Sequence, residues 1–308
     1  MTDQSPCVLC QSTGRTHLYR TRDRHYRIAG EYDLYRCQGC GLVALDPMPT
    51  EAELNGFYPQ DYFAYQEFQT RENALKARLK RIMGLEVGTK DPDFAQAGTM
   101  LDVGCGSGRF LQKMREQGWT VFGVEPSKAA ADLGRQQWQL DIRPGTLPGA
   151  TRDWPDGMFD YIRSNHSFEH IPNPMDTLRE MHRLLKLSGK LFLGVPNIDS
   201  TNARLFGRYW WYLGAPVHTF NYSSVTLAKL VEMAGFRVES TNYNSNYGGV
   251  VGSMQIYLNR DNGKTSGEGA LINSRVCRVA GQWIAKAFDL AASGDAIEMI
   301  CTRQDSPA

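Results

Sequence analysis

Residues 99–108, TMLDVGCGSG, leave few folds open: an apolar run ending near Asp102 is followed by Gly104, Gly106 and Gly108 at every second position, then by a helix-compatible segment. Glycine has no Cβ, so the backbone can turn sharply and approach a ligand closely, while the helix that follows offers free N–H groups at its start. Taken by itself, the motif also fits a plain strand-to-helix turn. A nicotinamide or flavin dinucleotide is a rival ligand, but its fingerprint is G-x-G-x-x-G, and here the third glycine comes one residue early. The next strand-like run, TVFGVE, ends in Glu125, 17 positions after Gly108 and able to accept both hydroxyls of a ribose. Such an acid points to a ribose without saying which nucleoside carries it.

Around this motif TMLDVG, TVFGVE, LDIRPG, FDYIRSN and KLFLGVP read as strands, and helices over 107–117, 128–138 and 175–187 fill the gaps. Gly118 closes the first helix, Ser127 caps the second, and Asn173 with Pro174 opens the third. Strand followed by helix, repeated, implies a parallel sheet with crossover helices. Farther on, a helix over 224–234 starts after Ser223 and stops at Gly235; FRVES and SMQIYLN read as strands, a helix covers 273–291, and DAIEMICTR closes the sheet. The chain divides by change of character into a Cys- and Tyr-rich part (1–65), a linker (66–97) with a polar, helix-favouring centre over 67–83, and an α/β domain (98–308) carrying an aromatic loop at 204–223.

Composition excludes several classes. With 42% hydrophobic and 22% charged residues among 308, the chain has enough apolar material for a core and is neither disordered nor fibrous. Its 34 basic and 33 acidic residues leave a net charge of +1, which offers no field to gather nucleic acid. No run approaches the roughly 18 apolar residues that span a bilayer, and MTDQSPCVLC lacks a basic segment followed by an apolar one. A cytoplasmic protein with neither a nucleic-acid partner nor a transmembrane segment is the expectation.

Four ordered segments resemble the class I S-adenosylmethionine (SAM)-dependent methyltransferases. LDVGCGSG looks like their first motif and GVEPS like the acidic end of their second strand. FDYIRSNHSFEHIPNP looks like the fourth-strand segment of the ubiquinone-biosynthesis-type branch, and LLKLSGKLFLGVPN like the stretch before the fifth strand. The resemblance implies a Rossmann-like, seven-stranded, mostly parallel sheet whose last strand is antiparallel, with SAM across the carboxyl ends of the first strands. It further implies that Asp102, Gly104 and Gly106 cradle the methionine and ribose part, with Cys105 and Pro126 in the lining loops. Glu125 would hold the ribose hydroxyls, Thr146 and Leu147 would flank the adenine, and Asn165 with His166 would line the region near the sulfonium. The third-strand end is IRPGTL rather than an acidic Gly-Asp, so the adenine contact is expected through backbone.

Seven cysteines include two tight pairs, Cys7-x-x-Cys10 and Cys37-x-x-Cys40, separated by 26 residues. Two thiolate pairs on tight turns can close a tetrahedral zinc site, and Gly41 relieves the second turn. Four protein ligands leave no open position, so the ion is expected to staple a small module rather than catalyse. A redox pair is disfavoured, because no thioredoxin-like helix follows either turn. Cys105, Cys277 and Cys301 read as small buried hydrophobes. Up to Asp61 the module has six Arg, no Lys and eight acidic residues, which argues against RNA recognition by the ribbon.

YRCQGCGLVALDPMPTEAELNGFYPQDYF is similar to the zinc module of methyltransferases of sugar and polysaccharide biosynthesis, and GRYWWYLGAPVHTFNYSSVTLAKLVEMAGF to the stretch after their fifth strand. The expected reaction is therefore O-methylation of a sugar, glycan or related hydroxylated metabolite. An alcohol is poorly ionised, so a positioned base helps, and histidine suits the task. His166 and His218 are the candidate bases; His170, beside Glu169, reads as structural, and no carboxylate cluster calls for a catalytic metal. Trp210, Trp211, Tyr212, His218 and Tyr222 could stack on or orient the acceptor, and Tyr58 and Tyr62 could close the cofactor pocket. The alternatives are an RNA methyltransferase using the zinc ribbon and a non-catalytic SAM-fold partner subunit. The last would show a broken glycine loop or a missing ribose acid, and neither defect is present.

Overall fold

The computed structural model describes residues 6–57 and 88–304. The polar helix expected over 67–83, and Tyr58 and Tyr62, lie outside the described residues. Seven strands form the main sheet: β4 (Thr99–Val103), β5 (Thr120–Glu125), β6 (Asp141–Pro144), β7 (Phe159–Asn165), β8 (Leu185–Pro196), β10 (Phe236–Tyr243) and β11 (Ala296–Arg303). Their order is β10-β11-β8-β7-β4-β5-β6. The strands from β8 through β6 are parallel, and the closing β11 runs antiparallel between β8 and β10. β4, β7 and the second half of β8 are almost wholly buried, which fits the apolar runs of β4 and β8, while β7 also buries Arg163 and Ser164.

Helices cover the sheet where the sequence places them. The Ser127 hydroxyl accepts from Ala130 N at the start of Lys128–Trp138, and Ser223 with Thr226 makes a capping box on Ser224–Met233. Asn173 makes no side-chain cap; Pro174 alone opens Pro174–Leu184. That helix stops three residues earlier than expected, because β8 already begins at Leu185.

SMQIYLN is not a strand. Ser253–Leu258 is a helix continuing from a wide turn over Gly248–Gly252. Burial falls on Gly252, Ser253, Gln255 and Ile256, the face of a helix rather than alternate positions, and Gln255 Oε1 accepts from Leu271 N. Ala270–Asn273 and Arg275–Leu290 follow, close to the helix expected at 273–291.

A second, antiparallel sheet contains β1 (Arg15–Thr21), β2 (Tyr32–Cys37), β3 (Val43–Leu45) and β9 (Phe220–Asn221), in that order. Its first two strands are the hairpin between the cysteine pairs. Its last comes from the aromatic stretch after β8, with Val43 opposite Asn221 and Ala44 opposite Phe220. Leu9 and Leu42 join the core that also holds Leu193, Phe220 and Tyr222, so the N-terminal segment shares its hydrophobic interior with the α/β part. Among the described residues no helix is long and apolar enough to cross a membrane.

Candidate functional site

The glycine loop leaves β4 with Gly104, Gly106 and Gly108 all left-handed, at φ of 75°, 55° and 77°. A Cβ on Gly104 would collide with the Ser167 side chain, and one on Gly108 would stand 2.5 Å from Leu140 Cδ1. The space a side chain at Gly104 would need is thus taken by Ser167, just beyond β7, which donates to the Val103 carbonyl at 2.7 Å, and that at Gly108 by Leu140 and Ile142 at β6. On the neighbouring strand Glu125 is buried. Its Oε2 accepts from Gly106 N and its Oε1 from Ser127 N, both at 2.9 Å, while burial pushes its pKa up. A buried carboxylate beside left-handed glycines fits a nucleoside with vicinal hydroxyls.

Asp102 is buried beneath the loop. Its Oδ1 has no hydrogen-bond partner among the described residues and lies 3.6 Å from Arg163 Nη1, itself held by Asp91. Burial dominates over the arginine and pushes the Asp102 pKa up to about 6. A carboxyl raised in this way binds its proton more tightly folded than unfolded, so stability falls as pH rises from the ordinary carboxylate range to about 6. Asp102→Asn should therefore melt no lower than the parent at pH 7.5 by calorimetry, and a fall of several degrees would contradict this account.

The other residues expected around a cofactor gather at the same end of the sheet. Cys105 sits in the loop with its Sγ turned towards Gly123, and Pro126 is exposed just beyond Glu125. Thr146 is exposed after β6, whereas Leu147 is buried in the core. Asn165 and His166 stand at the end of β7, with Asn165 opposite Gly194 and His166 N donating to the Gly194 carbonyl at 2.8 Å. His166 itself is left-handed at φ 52°, a conformation that turns the chain out of the sheet next to the glycine loop.

The aromatic run divides. Trp210 is 2% exposed with its indole donating to Asp295 at 2.9 Å, and Tyr222 is 0% exposed against Phe168, so neither presents a free ring face. Trp211 and Tyr212 are only partly buried, and Tyr212 lies parallel to His166 with centroids 6.5 Å apart. His25, between the two cysteine pairs, donates from Nε2 to the Trp211 carbonyl and accepts at Nδ1 from Ser266, pinning this loop.

The grouping that sequence reasoning missed is centred on Glu169, which is 1% exposed. His166 Nδ1, His218 Nε2 and His170 Nε2 stand 3.6, 3.9 and 4.0 Å from its Oε1. Both carboxylate oxygens are buried without a hydrogen-bond partner among the described residues. Burial opposes ionisation, but the surrounding imidazoles win and hold Glu169 down to about 2, while burial drives His218 down to about 3. In the sequence His170 beside Glu169 reads as structural, and His166 and His218 as separate candidate bases; the fold brings all three rings to one carboxylate.

The four paired cysteines also converge. Cys7 Sγ is 3.6 Å from Cys40 Sγ, Cys10 Sγ is 3.5 Å from Cys37 Sγ, and all four sulfurs lie within 4.8 Å of one another. Tetrahedral ligation at about 2.3 Å separates sulfurs by roughly this much. Each pair sits on a tight turn, with Gln11 N donating to the Cys7 carbonyl and Gly41 N to that of Cys37.

Residues 65–241 match the family model described as a methyltransferase domain. The chain is 33% identical over 133 residues to the ubiquinone biosynthesis O-methyltransferase of Pseudomonas paraeruginosa, which covers 41% of this chain and 56% of that protein. The counterpart from Pseudomonas aeruginosa is 32% identical over the same shares. The chain thus spans 56% of the length of these curated relatives. A SAM-dependent methyltransferase from Archaeoglobus fulgidus superposes with a TM-score of 0.50 at 19% identity, covering 80% of this chain and 100% of that one.

Proposed function

Because the chain belongs to the methyltransferase-domain family, we propose that it is a SAM-dependent enzyme that O-methylates a sugar, glycan or related hydroxylated metabolite. The observation that carries this reading is adjacency: Ser167 packs on Gly104, and His166 beside it has a side chain 43% exposed, parallel to Tyr212. A proton acceptor therefore stands next to the glycine loop, with the Tyr212 ring parallel to it.

When bound, SAM supplies an electrophilic methyl group. Glu125 would hold the ribose hydroxyls beside the glycine loop, whose Gly104, Gly106 and Gly108 N–H groups donate within the protein, to Val124, Glu125 and Cys105, and so fix the loop's path. Asp102, Asn165, Cys105, Pro126 and Thr146 belong to the strand ends and loops around this place, and Leu147, buried in the core, would act from behind it. His166 accepts the acceptor's hydroxyl proton. His218 positions the loop, its Nδ1 donating to the Tyr212 carbonyl at 3.1 Å. Trp211 and Tyr212 are the ring faces proposed for the acceptor, a role that the buried Trp210 and Tyr222 leave to them.

The proposal keeps three parts: a module over 1–65 closed by a structural zinc ion on Cys7, Cys10, Cys37 and Cys40, a linker, and the domain at 98–308. The test is transfer of labelled methyl from SAM to a panel of sugars, nucleotide sugars and hydroxylated aromatics. Label on a sugar hydroxyl is the expected result. Label on phenols alone would move the acceptor class, and label on RNA would replace the reading. His166→Asn should lower kcat by about 100-fold while leaving the affinity for S-adenosylhomocysteine within twofold.

A further inference from the structure

Between the connection at 22–31, which joins β1 to β2, and the loop at 263–265 lies a cavity of about 530 Å3, lined by Arg22, Arg24, Arg27 and Lys264 against two acids, Asp23 and Glu31. Both acids are turned to other tasks. Asp23 accepts from His25 N at Oδ1 and from Tyr26 N and Ile28 N at Oδ2, at 3.0, 2.7 and 2.9 Å, so its carboxylate closes a turn of its own chain. Glu31 is exposed, and its charge acts on Arg20, which does not line the cavity. Of the four cations Arg27 alone is ion-paired among the described residues, to Glu268 at 3.0 Å, and that acid also accepts from Thr265 N.

The segment that carries the aromatic rings adds to the positive charge. Arg24 stands with its guanidinium 5.3 Å from the Tyr209 ring centroid, and its Nε is buried with no hydrogen-bond partner among the described residues. Burial, then the charges of Arg22 and Arg208, hold its pKa below that of a free arginine. A guanidinium still keeps its proton at neutral pH, so the repulsion and the lost hydration persist until an anion offsets them. Arg22 donates from Nη2 to the Arg260 carbonyl at 2.7 Å, which ties one wall of the cavity to the chain that leads into the other.

We propose that this cavity binds a phosphate or diphosphate group, the anionic part of a phosphorylated sugar acceptor whose hydroxyl is presented to His166. Arginine forks meet phosphate oxygens two at a time, and a phosphate brings the charge that such a set of cations would neutralise. The surrounding bonds join the cavity to the aromatic loop. Ser266 N donates to the Arg24 carbonyl at 2.8 Å, Ser266 Oγ stands 2.7 Å from His25 Nδ1, and His25 Nε2 stands 2.8 Å from the Trp211 carbonyl. The residue after Trp211 is Tyr212, whose ring lies parallel to His166. From Arg208, whose charge acts on Arg24, to Tyr212 is four residues, at most roughly 15 Å, a span within reach of a sugar joined to a diphosphate.

The acceptor's place in the cavity rests on the methyltransferase reading; the binding of phosphate does not. The first measurement is calorimetric titration of the full chain with inorganic pyrophosphate at low ionic strength. Arg24→Gln and, separately, Arg22→Gln should each weaken binding by about tenfold or more, the loss of one charge-assisted bond, while circular dichroism stays as in the parent. Arg179→Gln removes the same charge from an exposed position on Pro174–Leu184 and should leave the affinity within twofold. No binding by the parent, or the same loss in Arg179→Gln as in the other two, overturns the proposal. The second measurement is methyl transfer to nucleotide sugars and to the free sugars they contain. The phosphorylated forms should have the lower KM, pyrophosphate should compete with them and not with SAM, and Arg22→Gln should raise their KM with kcat unchanged. A KM indifferent both to the phosphate and to Arg22 overturns the assignment to the acceptor. Pyrophosphate binding that Arg24→Gln loses, with no methyl transfer to any acceptor, leaves the phosphate site standing and removes the enzymatic reading instead.

Discussion

Glu125→Ala should weaken S-adenosylhomocysteine binding by about 100-fold or more, since two charge-assisted hydrogen bonds of at least about 1.5 kcal/mol each are lost. The carboxylate has two tasks. It accepts from Gly106 N and Ser127 N, and so holds the glycine loop against the start of Lys128–Trp138. Its remaining lone pairs would receive the ribose hydroxyls. Calorimetric titration separates the tasks when Glu125→Gln is included: one amide oxygen can still serve the loop, but the charge is gone. Alanine losing far more affinity than glutamine would assign much of the effect to loop geometry, and equal losses would assign it to the carboxylate's charge. Because burial raises the Glu125 pKa, affinity should also fall as pH is lowered through a range above that of an ordinary glutamate, and Glu125→Gln should abolish that dependence. Unchanged affinity in both variants would mean that the nucleoside does not bind at the end of β5.

Much of the sheet and the glycine loop was legible because their determinants are local. TMLDVG and KLFLGVP announce buried parallel strands by composition, Ser127 and Ser223 cap their helices within three residues, and three glycines at alternate positions need no distant partner to be read. Legibility failed where distant chain segments decide. SMQIYLN has the alternation of a strand, but Gly252 packs on Trp211 and Gln255 accepts from Leu271, and these contacts select a helix. Trp210 reads as a stacking platform until Asp295, 85 residues away, is seen to take its indole hydrogen. The Glu169 grouping joins one turn of chain to His218 across 48 further residues, and its meaning depends on which ring nitrogen meets a carbonyl, which no spacing can reveal.

The largest structural effect should come from the cysteines. Cys37→Ser with Cys40→Ser should make the segment up to Phe57 sensitive to protease and lower the melting temperature by about 5 °C or more. The N-terminal sheet has a thin interior: of its own buried apolar residues, Leu34, Val43 and Leu45 form a cluster that is completed by Trp210, Leu213 and Ala215 from the other part of the chain. Ligation of a tetrahedral zinc ion contributes about 10–16 kcal/mol to comparable small modules, far more than such a cluster can supply. The loss should not stay local. β3 pairs with β9, Leu45 N donates to the Thr219 carbonyl at 3.1 Å, and Thr219 in turn holds the Glu169 backbone. Freed of β3, the stretch carrying His218 loses its edge, so methyl transfer should fall by at least about tenfold. Binding of S-adenosylhomocysteine should persist, because the glycine loop and Glu125 belong to the other sheet. A variant with intact protease resistance and full activity would show that the four sulfurs carry neither the fold of the module nor the placement of His218.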